Sequence, residues 1–226
     1  MSLDAVQAFL LGSPHHTWRA KIRKLIYGLK RAAFKICPIF AERLGLDFRL
    51  NAPSRVFLET RIFGFINQLA VPGMPKPKCL FIGLDKHNWH YPRLLAVDFH
   101  SIDIDAERAV YASAGLHTVG DAAELTHHYG LNSFDVIIAN GLIGFGIDTQ
   151  PDVEWLFFQC HSVLKQGGLL VLGYNETGQR APFAIDVEKD SLFKEFTPDI
   201  ANVQGSRHRV DDAYHHVYVF ARKPVM

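Results

Sequence analysis

An α/β fold is predicted, a parallel sheet covered by helices and preceded by a basic helical N-terminal segment, and three observations predict it. Beyond residue 78 short apolar runs alternate with helical segments, the pattern of strands joined by crossover helices. Several of these runs end in glycine or acidic residues, as strands that open into ligand loops do. The chain of 226 residues is 48% hydrophobic and 21% charged, enough apolar material for a full α/β core with one appendage.

The N-terminal segment is set apart by its charge. Between Ala5 and Ala41 there are seven Arg or Lys residues and no Asp or Glu. From Thr17 to Ile36 the apolar residues Trp18, Ile22, Leu25, Ile26, Leu29, Ala33 and Ile36 recur at helical steps, and the cations fill most positions between them, so an amphipathic basic helix is expected. Pro38 ends it or begins its exit. Its cationic face suits an anionic lipid surface or a nucleic-acid backbone, and its apolar stripe equally suits packing over the sheet. The rest of the chain is net acidic, which argues against general nucleic-acid binding.

A second helix is expected from Ser54, a good N-cap, to about Leu69. The stretch VPGMPKPK, residues 71–78, holds three prolines and a glycine and reads as a linker. The expected organisation is therefore a basic helical segment over 1–70, the linker, and an α/β domain over 79–226.

Strands are expected at Cys79 to Gly83, Phe99 to Asp103, His117 to Gly120, Phe134 to Ala139, Leu169 to Tyr174 and His215 to Ala221. A helix from Val153 to Leu164 should close on a left-handed glycine cap at Gly167–Gly168. Cys37, Cys79 and Cys160 are odd in number and far apart, as reduced thiols are. No run of about 18 apolar residues is long enough to span a bilayer and the N-terminus lacks a leader-like pattern, so a cytoplasmic location is expected.

In an open parallel sheet the ligand sits beyond the carboxyl ends of the strands. Those loops hold Gly83, Leu84 and Asp85; Asp103 and Ile104; Asp121 and Ala122; and Asn140 and Gly141. Asp103, 20 residues beyond Gly83, is placed to accept hydrogen bonds from both hydroxyls of a ribose; Asp105 is the better candidate for capping the helix that follows. Asp121 is either a structural turn residue or an acceptor for an exocyclic amine. Asn140–Gly141 reads equally as a tight turn and as a ligand contact. His87, His90 and Tyr91 are candidate substrate contacts, as are Phe145, Tyr174 and Asn175 on the same rim. His87 and His90 have no further ligands at metal spacing, so no metal is expected. The pairs His15–His16, His127–His128 and His215–His216 read as surface or strand-end residues. No nucleophile or general base is assigned.

Taken in order, CLFIG, SIDIDAER, HTVGDAAEL, SFDVIIANG, VLKQGGLLVLGYN and HHVYVFARKP resemble successive segments of the class I S-adenosylmethionine-dependent methyltransferases, from Cys79 to about Lys223. The resemblance implies a seven-stranded, mostly parallel Rossmann-like sheet with an antiparallel last strand. It also implies S-adenosylmethionine as cofactor, Asp103 on its ribose, Asp121 on its adenine, and a small-molecule acceptor. The family's first loop is usually GxGxG, whereas this chain has Gly83-Leu84-Asp85-Lys86-His87, one glycine of three. That departure motivates a first alternative, a methyltransferase-like binding protein without turnover. A nicotinamide-dependent oxidoreductase is the second, against which stand the missing GxGxxG turn and the HVYVFA ending.

Overall fold

The computed structural model describes residues 14–225, and the chain divides into two compact units between Phe48 and Arg49. In the first unit α1 (Pro14–Ile36) is followed after extended Cys37 by α2 (Pro38–Arg43), which Pro38 opens at a first-turn position, where its missing N–H costs nothing. Tyr27 and Phe34 meet Phe48 edge-on, with ring centroids 5.8 and 5.0 Å apart. Trp18, Ile22, Leu25 and Leu29, on the other side of α1, are exposed. The side chains of His15 and His16 lie outside the described residues.

The second unit begins before the sheet, so the division does not fall at 71–78. Two short helices, α3 (Pro53–Phe57) and α4 (Phe63–Asn67), flank a π-helical turn at Leu58–Ile62. Leu58, Ile62, Phe63 and Ile66 are fully buried in this unit, and burial of side chains of this size stabilises by about 1.5–3 kcal/mol each. Phe63 packs on Tyr91 at 4.8 Å, and the Asn67 carboxamide both accepts from Ala96 N and donates to Leu94 O. This stretch is therefore part of the sheet unit, and residues 71–78 are an internal connector of turns. Ser54 is not the cap: Ala52 holds that position and Pro53 the first turn, which leaves Ser54 buried with its carbonyl accepting from the Tyr218 hydroxyl at 2.9 Å.

The sheet contains β1 (Lys78–Ile82), β2 (Asp98–Asp103), β3 (His117–Val119), β4 (Phe134–Asn140), β5 (Leu164–Asn175), β6 (Lys194–Glu195), β7 (Arg207–Arg209) and β8 (His216–Arg222). Its order is β3-β2-β1-β4-β5-β8-β6, with β7 also on β8. β1 to β5 run parallel, and β8 runs antiparallel to β5 from Leu169↔Arg222 to Asn175↔His216. β5 occupies one whole edge of β8, so β6 and β7 share the other. Eight strands thus fill the seven expected lateral positions.

α5 (Gln150–Val163) starts at Thr149, whose hydroxyl accepts from Asp152 N and donates to the Asp152 carboxylate, a reciprocal cap. Its inner side chains Val153, Leu156, Phe157 and Cys160 close a core with Ile82, Ile137, Leu170, Leu172 and Val219. The helix does not end on glycine. Leu164 passes directly into extended backbone, and Gly167 (φ +72) instead turns the chain inside β5, its amide donating to Lys223 O. After β1 and β2, in place of full crossover helices, there are only 3-10 turns, Tyr91–Arg93 and Ala106–Tyr111. Among the described residues no helix is long and apolar enough to cross a membrane.

Candidate active site

The carboxyl ends of β1 to β5 open on a cavity of about 910 Å³, within the range of small-ligand sites. Its first wall is the loop after β1. Gly83 has φ +88, a backbone conformation that favours glycine, and a Cβ there would also crowd Leu142 Cδ2 at 3.1 Å. The remaining turn is held without glycine. The Asn88 carboxamide accepts from Asp85 N at 2.7 Å and donates to Gly83 O at 3.2 Å, closing the loop from one buried side chain. Leu84 is buried beneath it.

The second wall is acidic. The Asp103 carboxylate accepts the Asp105 amide at 2.8 Å. Burial raises the Asp103 carboxyl above its usual range, partly offset by that amide and by Arg108. Asp105 caps the following turn by accepting from Glu107 N, as its position suggested. Arg108 bridges Asp85 at 2.6 Å and Asp105 at 3.0 Å. Burial pushes Asp85 up, but Arg108 and Lys86 together outweigh it and the carboxyl lies below the ordinary value. Asp121 accepts from Ala123 N at 2.8 Å, so it does the structural work of a turn while its carboxylate retains acceptor capacity on the cavity.

The third wall is the loop after β4. Gly141 and Gly144 both have φ +78, and a Cβ on Gly144 would strike the backbone of Arg180. Arg180 donates to Gly144 O and stacks on Phe145 at 4.0 Å, which pins the loop so that Phe145 stays exposed on the rim.

At the floor, His216 lies between two amides: Nδ1 is 2.7 Å from Asn175 Oδ1 and Nε2 is 3.0 Å from Asn140 Oδ1. His216 is 7% and Asn140 5% exposed. A Cβ on Gly173 would overlap the Asn140 carboxamide, so the glycine of β5 makes room for it. Burial, with help from the Arg55 charge and against Asp212, lowers the His216 imidazole to about 4. The ring is neutral at pH 7.

Of the residues singled out in the sequence, Gly83, Leu84, Asp85, His87, Asp103, Ile104, Asp121, Ala122, Asn140, Gly141, Phe145 and Asn175 all line this one cavity. His90, Tyr91 and Tyr174 do not. Tyr91 is fully buried, wedged between Phe63 and Phe81 and accepting from Arg55 at 3.2 Å. Buried His90 sits 3.2 Å from a Glu59 carboxylate oxygen, and the Tyr174 hydroxyl accepts from Arg207 at 2.6 Å. Each side chain leaves its strand or turn on the side facing the core, so these three belong to packing and not to a substrate wall.

His216 is the opposite correction, a cavity residue that was assigned to a strand end. The signal lay in direction: an antiparallel last strand begins where its parallel neighbours finish, so its first residues reach the ligand rim. Asn51, Ser54 and Arg55 also line the cavity. They precede the proline-rich connector, and only the packing of α3 and α4 on the sheet brings them there. Among the described residues no group of three His, Cys, Asp or Glu side chains is arranged to hold a metal ion.

No protein-family model matches the sequence, and no curated protein matches it. Solved structures do match in shape. The structure is similar to the N-methyltransferase NodS from Bradyrhizobium japonicum WM9 in complex with S-adenosyl-L-homocysteine, over 77% of this chain and 90% of that one, with a TM-score of 0.57 at 13% identity. It is similar to the 1,6-didemethyltoxoflavin-N1-methyltransferase of Burkholderia thailandensis over 72% and 76%, with a TM-score of 0.52 at 16% identity. The [4+2]-cyclase SpnF matches over 73% and 80%, with a TM-score of 0.52 at 14% identity. With its β3-β2-β1-β4-β5-β8-β6 order and reversed β8, the sheet unit has the Rossmann-like fold of the class I S-adenosylmethionine-dependent methyltransferases.

Proposed function

We propose that the chain is an S-adenosylmethionine-dependent methyltransferase acting on a small-molecule acceptor. The observation that carries this reading is that Gly83, Asp103 and Asp121, from the ends of three adjacent parallel strands, converge on one cavity. The residues fit the cofactor. Asp103 offers carboxylate oxygens for the ribose hydroxyls and Asp121 for the adenine amine, while Gly83 leaves the space a Cβ would fill for the methionine portion. Arg55, anchored on Tyr91 at the cavity wall, is the cation for that portion's carboxylate.

When bound, S-adenosylmethionine supplies an electrophilic methyl group on a sulfonium, a transfer that needs alignment more than covalent help. Asn140, Asn175 and His216 hold the acceptor at the floor, and the Arg180-pinned loop with Phe145 excludes water from the rim. The cavity walls from Leu50 to Arg55 and from Gly141 to Ile147 enclose a site of small-molecule size.

Calorimetric titration with S-adenosylhomocysteine is expected to show one site, and methyl-labelled S-adenosylmethionine to pass label to an amine-rich acceptor panel. Binding without transfer to any acceptor would favour the binding-protein alternative. Binding of reduced nicotinamide in place of the homocysteine would overturn the reading.

The basic α1, with its exposed Trp18, Ile22, Leu25 and Leu29, is read as contacting an anionic lipid surface. Co-sedimentation with phosphatidylserine vesicles, lost at high salt and absent with phosphatidylcholine alone, is the expected result. Salt-insensitive binding, or none, would remove that contact.

A further inference from the structure

Two guanidiniums on the cavity wall differ in what surrounds them. Arg108 is held by two carboxylates, Asp85 at 2.6 Å and Asp105 at 3.0 Å, so its charge is answered within the wall. Arg55, half-buried on the same cavity, donates to a neutral partner, the Tyr91 hydroxyl at 3.2 Å. Among the described residues no carboxylate pairs with it directly, and Glu59 acts on it only at longer range.

The separation from Glu59 has a physical cause. On an α-helix an arginine and a glutamate four residues apart share a face and pair. Here the backbone leaves α3 at Phe57 and enters the π-helical turn that carries Glu59, and Tyr91 bonds both side chains. A guanidinium can only donate, so the phenol oxygen accepts from Arg55 and its O–H turns to the Glu59 carboxylate. The ring is fixed in place, fully buried and edge-on to Phe63 at 4.8 Å and to Phe81 at 5.3 Å. Glu59 also lies 3.2 Å from His90 Nε2. The neighbouring phenol of Tyr218 donates to Ser54 O and leaves Arg55 to Tyr91.

We propose that Tyr91 is a positioning residue that holds Arg55 and Glu59 apart, so that the guanidinium remains available to the cavity and the site selects ligands that carry an amino-acid carboxylate. This rests on the methyltransferase reading above, in which that carboxylate belongs to the methionine portion of the cofactor. A direct Arg55–Glu59 pair would occupy the planar fork that a ligand carboxylate grips through two parallel N–H bonds. One phenol between them keeps Glu59 near enough to lower the cost of burying the cation and leaves the rest of the fork unoccupied. Selectivity for the carboxylate therefore depends on a hydroxyl that touches no ligand.

The test compares S-adenosylhomocysteine with methylthioadenosine, which keeps the adenosine and the thioether but has no amino-acid carboxylate, by calorimetry on the full chain. The parent is expected to prefer S-adenosylhomocysteine; equal affinity for the two would overturn the proposal without any variant. Tyr91→Phe keeps the wedged ring and frees Arg55 to fall onto Glu59. Its affinity for S-adenosylhomocysteine should drop about 10-fold or more, as when one charged hydrogen bond is lost, with methylthioadenosine changed by less than about twofold. Adding Glu59→Gln removes the competing carboxylate, so the double variant should recover most of that loss, while Glu59→Gln alone binds at least as tightly as the parent. Equal loss for both ligands, or a double variant no better than Tyr91→Phe, would make Tyr91 a packing residue and overturn the proposal; circular dichroism verifies that each variant folds. A parent that binds neither ligand would overturn the methyltransferase reading, and the proposal with it.

Discussion

Asp103→Asn is expected to lower affinity for S-adenosylhomocysteine by about 10- to 100-fold, because a hydrogen bond to a charged partner contributes about 1.5–3 kcal/mol. The substitution keeps size and one acceptor oxygen, so the amide of Asp105 retains its partner and the loop after β2 should survive. What is lost is the charge and the second acceptor that the ribose hydroxyls require together. Asp105→Asn is the contrast. It keeps an oxygen for Glu107 N and weakens one partly exposed ion pair with Arg108, worth about 0–1 kcal/mol; affinity should change by less than about fivefold. Calorimetry on both variants, with circular dichroism to verify folding, checks the pair. Parent-like affinity in Asp103→Asn would remove Asp103 from the ribose.

β1 and β4 were legible because parallel strands buried on both faces are written as near-continuous apolar runs, and β1, β2 and β4 begin or end within a residue of the expected bounds. The acidic wall was legible for a related reason. Once the strands are placed, the residues just beyond their ends are placed as well, and Asp103 and Asp121 need nothing further to reach the cavity. Other residues depended on facts that no local pattern carries. Tyr91 and His90 share a loop with His87, yet only His87 lines the cavity, because the 3-10 turn at Tyr91–Arg93 aims Tyr91 at Phe63 and Phe81. Arg55 lies ahead of a proline-rich connector, and its membership in the site follows from the tertiary burial of Leu58, Ile62, Phe63 and Ile66. In the glycine-poor first loop Asn88 closes the turn through its side chain, which no spacing of glycines announces.

Folding stability is expected to fall by about 2–3 kcal/mol between pH 7.5 and 4.5 through His216 alone. Its folded-state pKa is about 4, lowered first by burial and then by Arg55, against about 6.5 in the unfolded chain. Between those values the unfolded state takes up a proton that the folded state refuses. Stability from this group is therefore complete above pH 6.5, declines as the pH falls below it, and reaches its floor as the pH passes through about 4. His117, His161 and His208 are also lowered by burial and add slopes of the same sign, so the absolute curve does not isolate the floor of the cavity. The difference between the parent and His216→Gln does, because the other histidines are common to both. Glutamine keeps a donor and an acceptor for Asn140 and Asn175 but does not titrate, so the parent's advantage should shrink by that 2–3 kcal/mol over the range when urea midpoints are compared. A difference that stays flat with pH would mean that His216 is equally easy to protonate in both states, and the neutral ring between two amides would have to be abandoned.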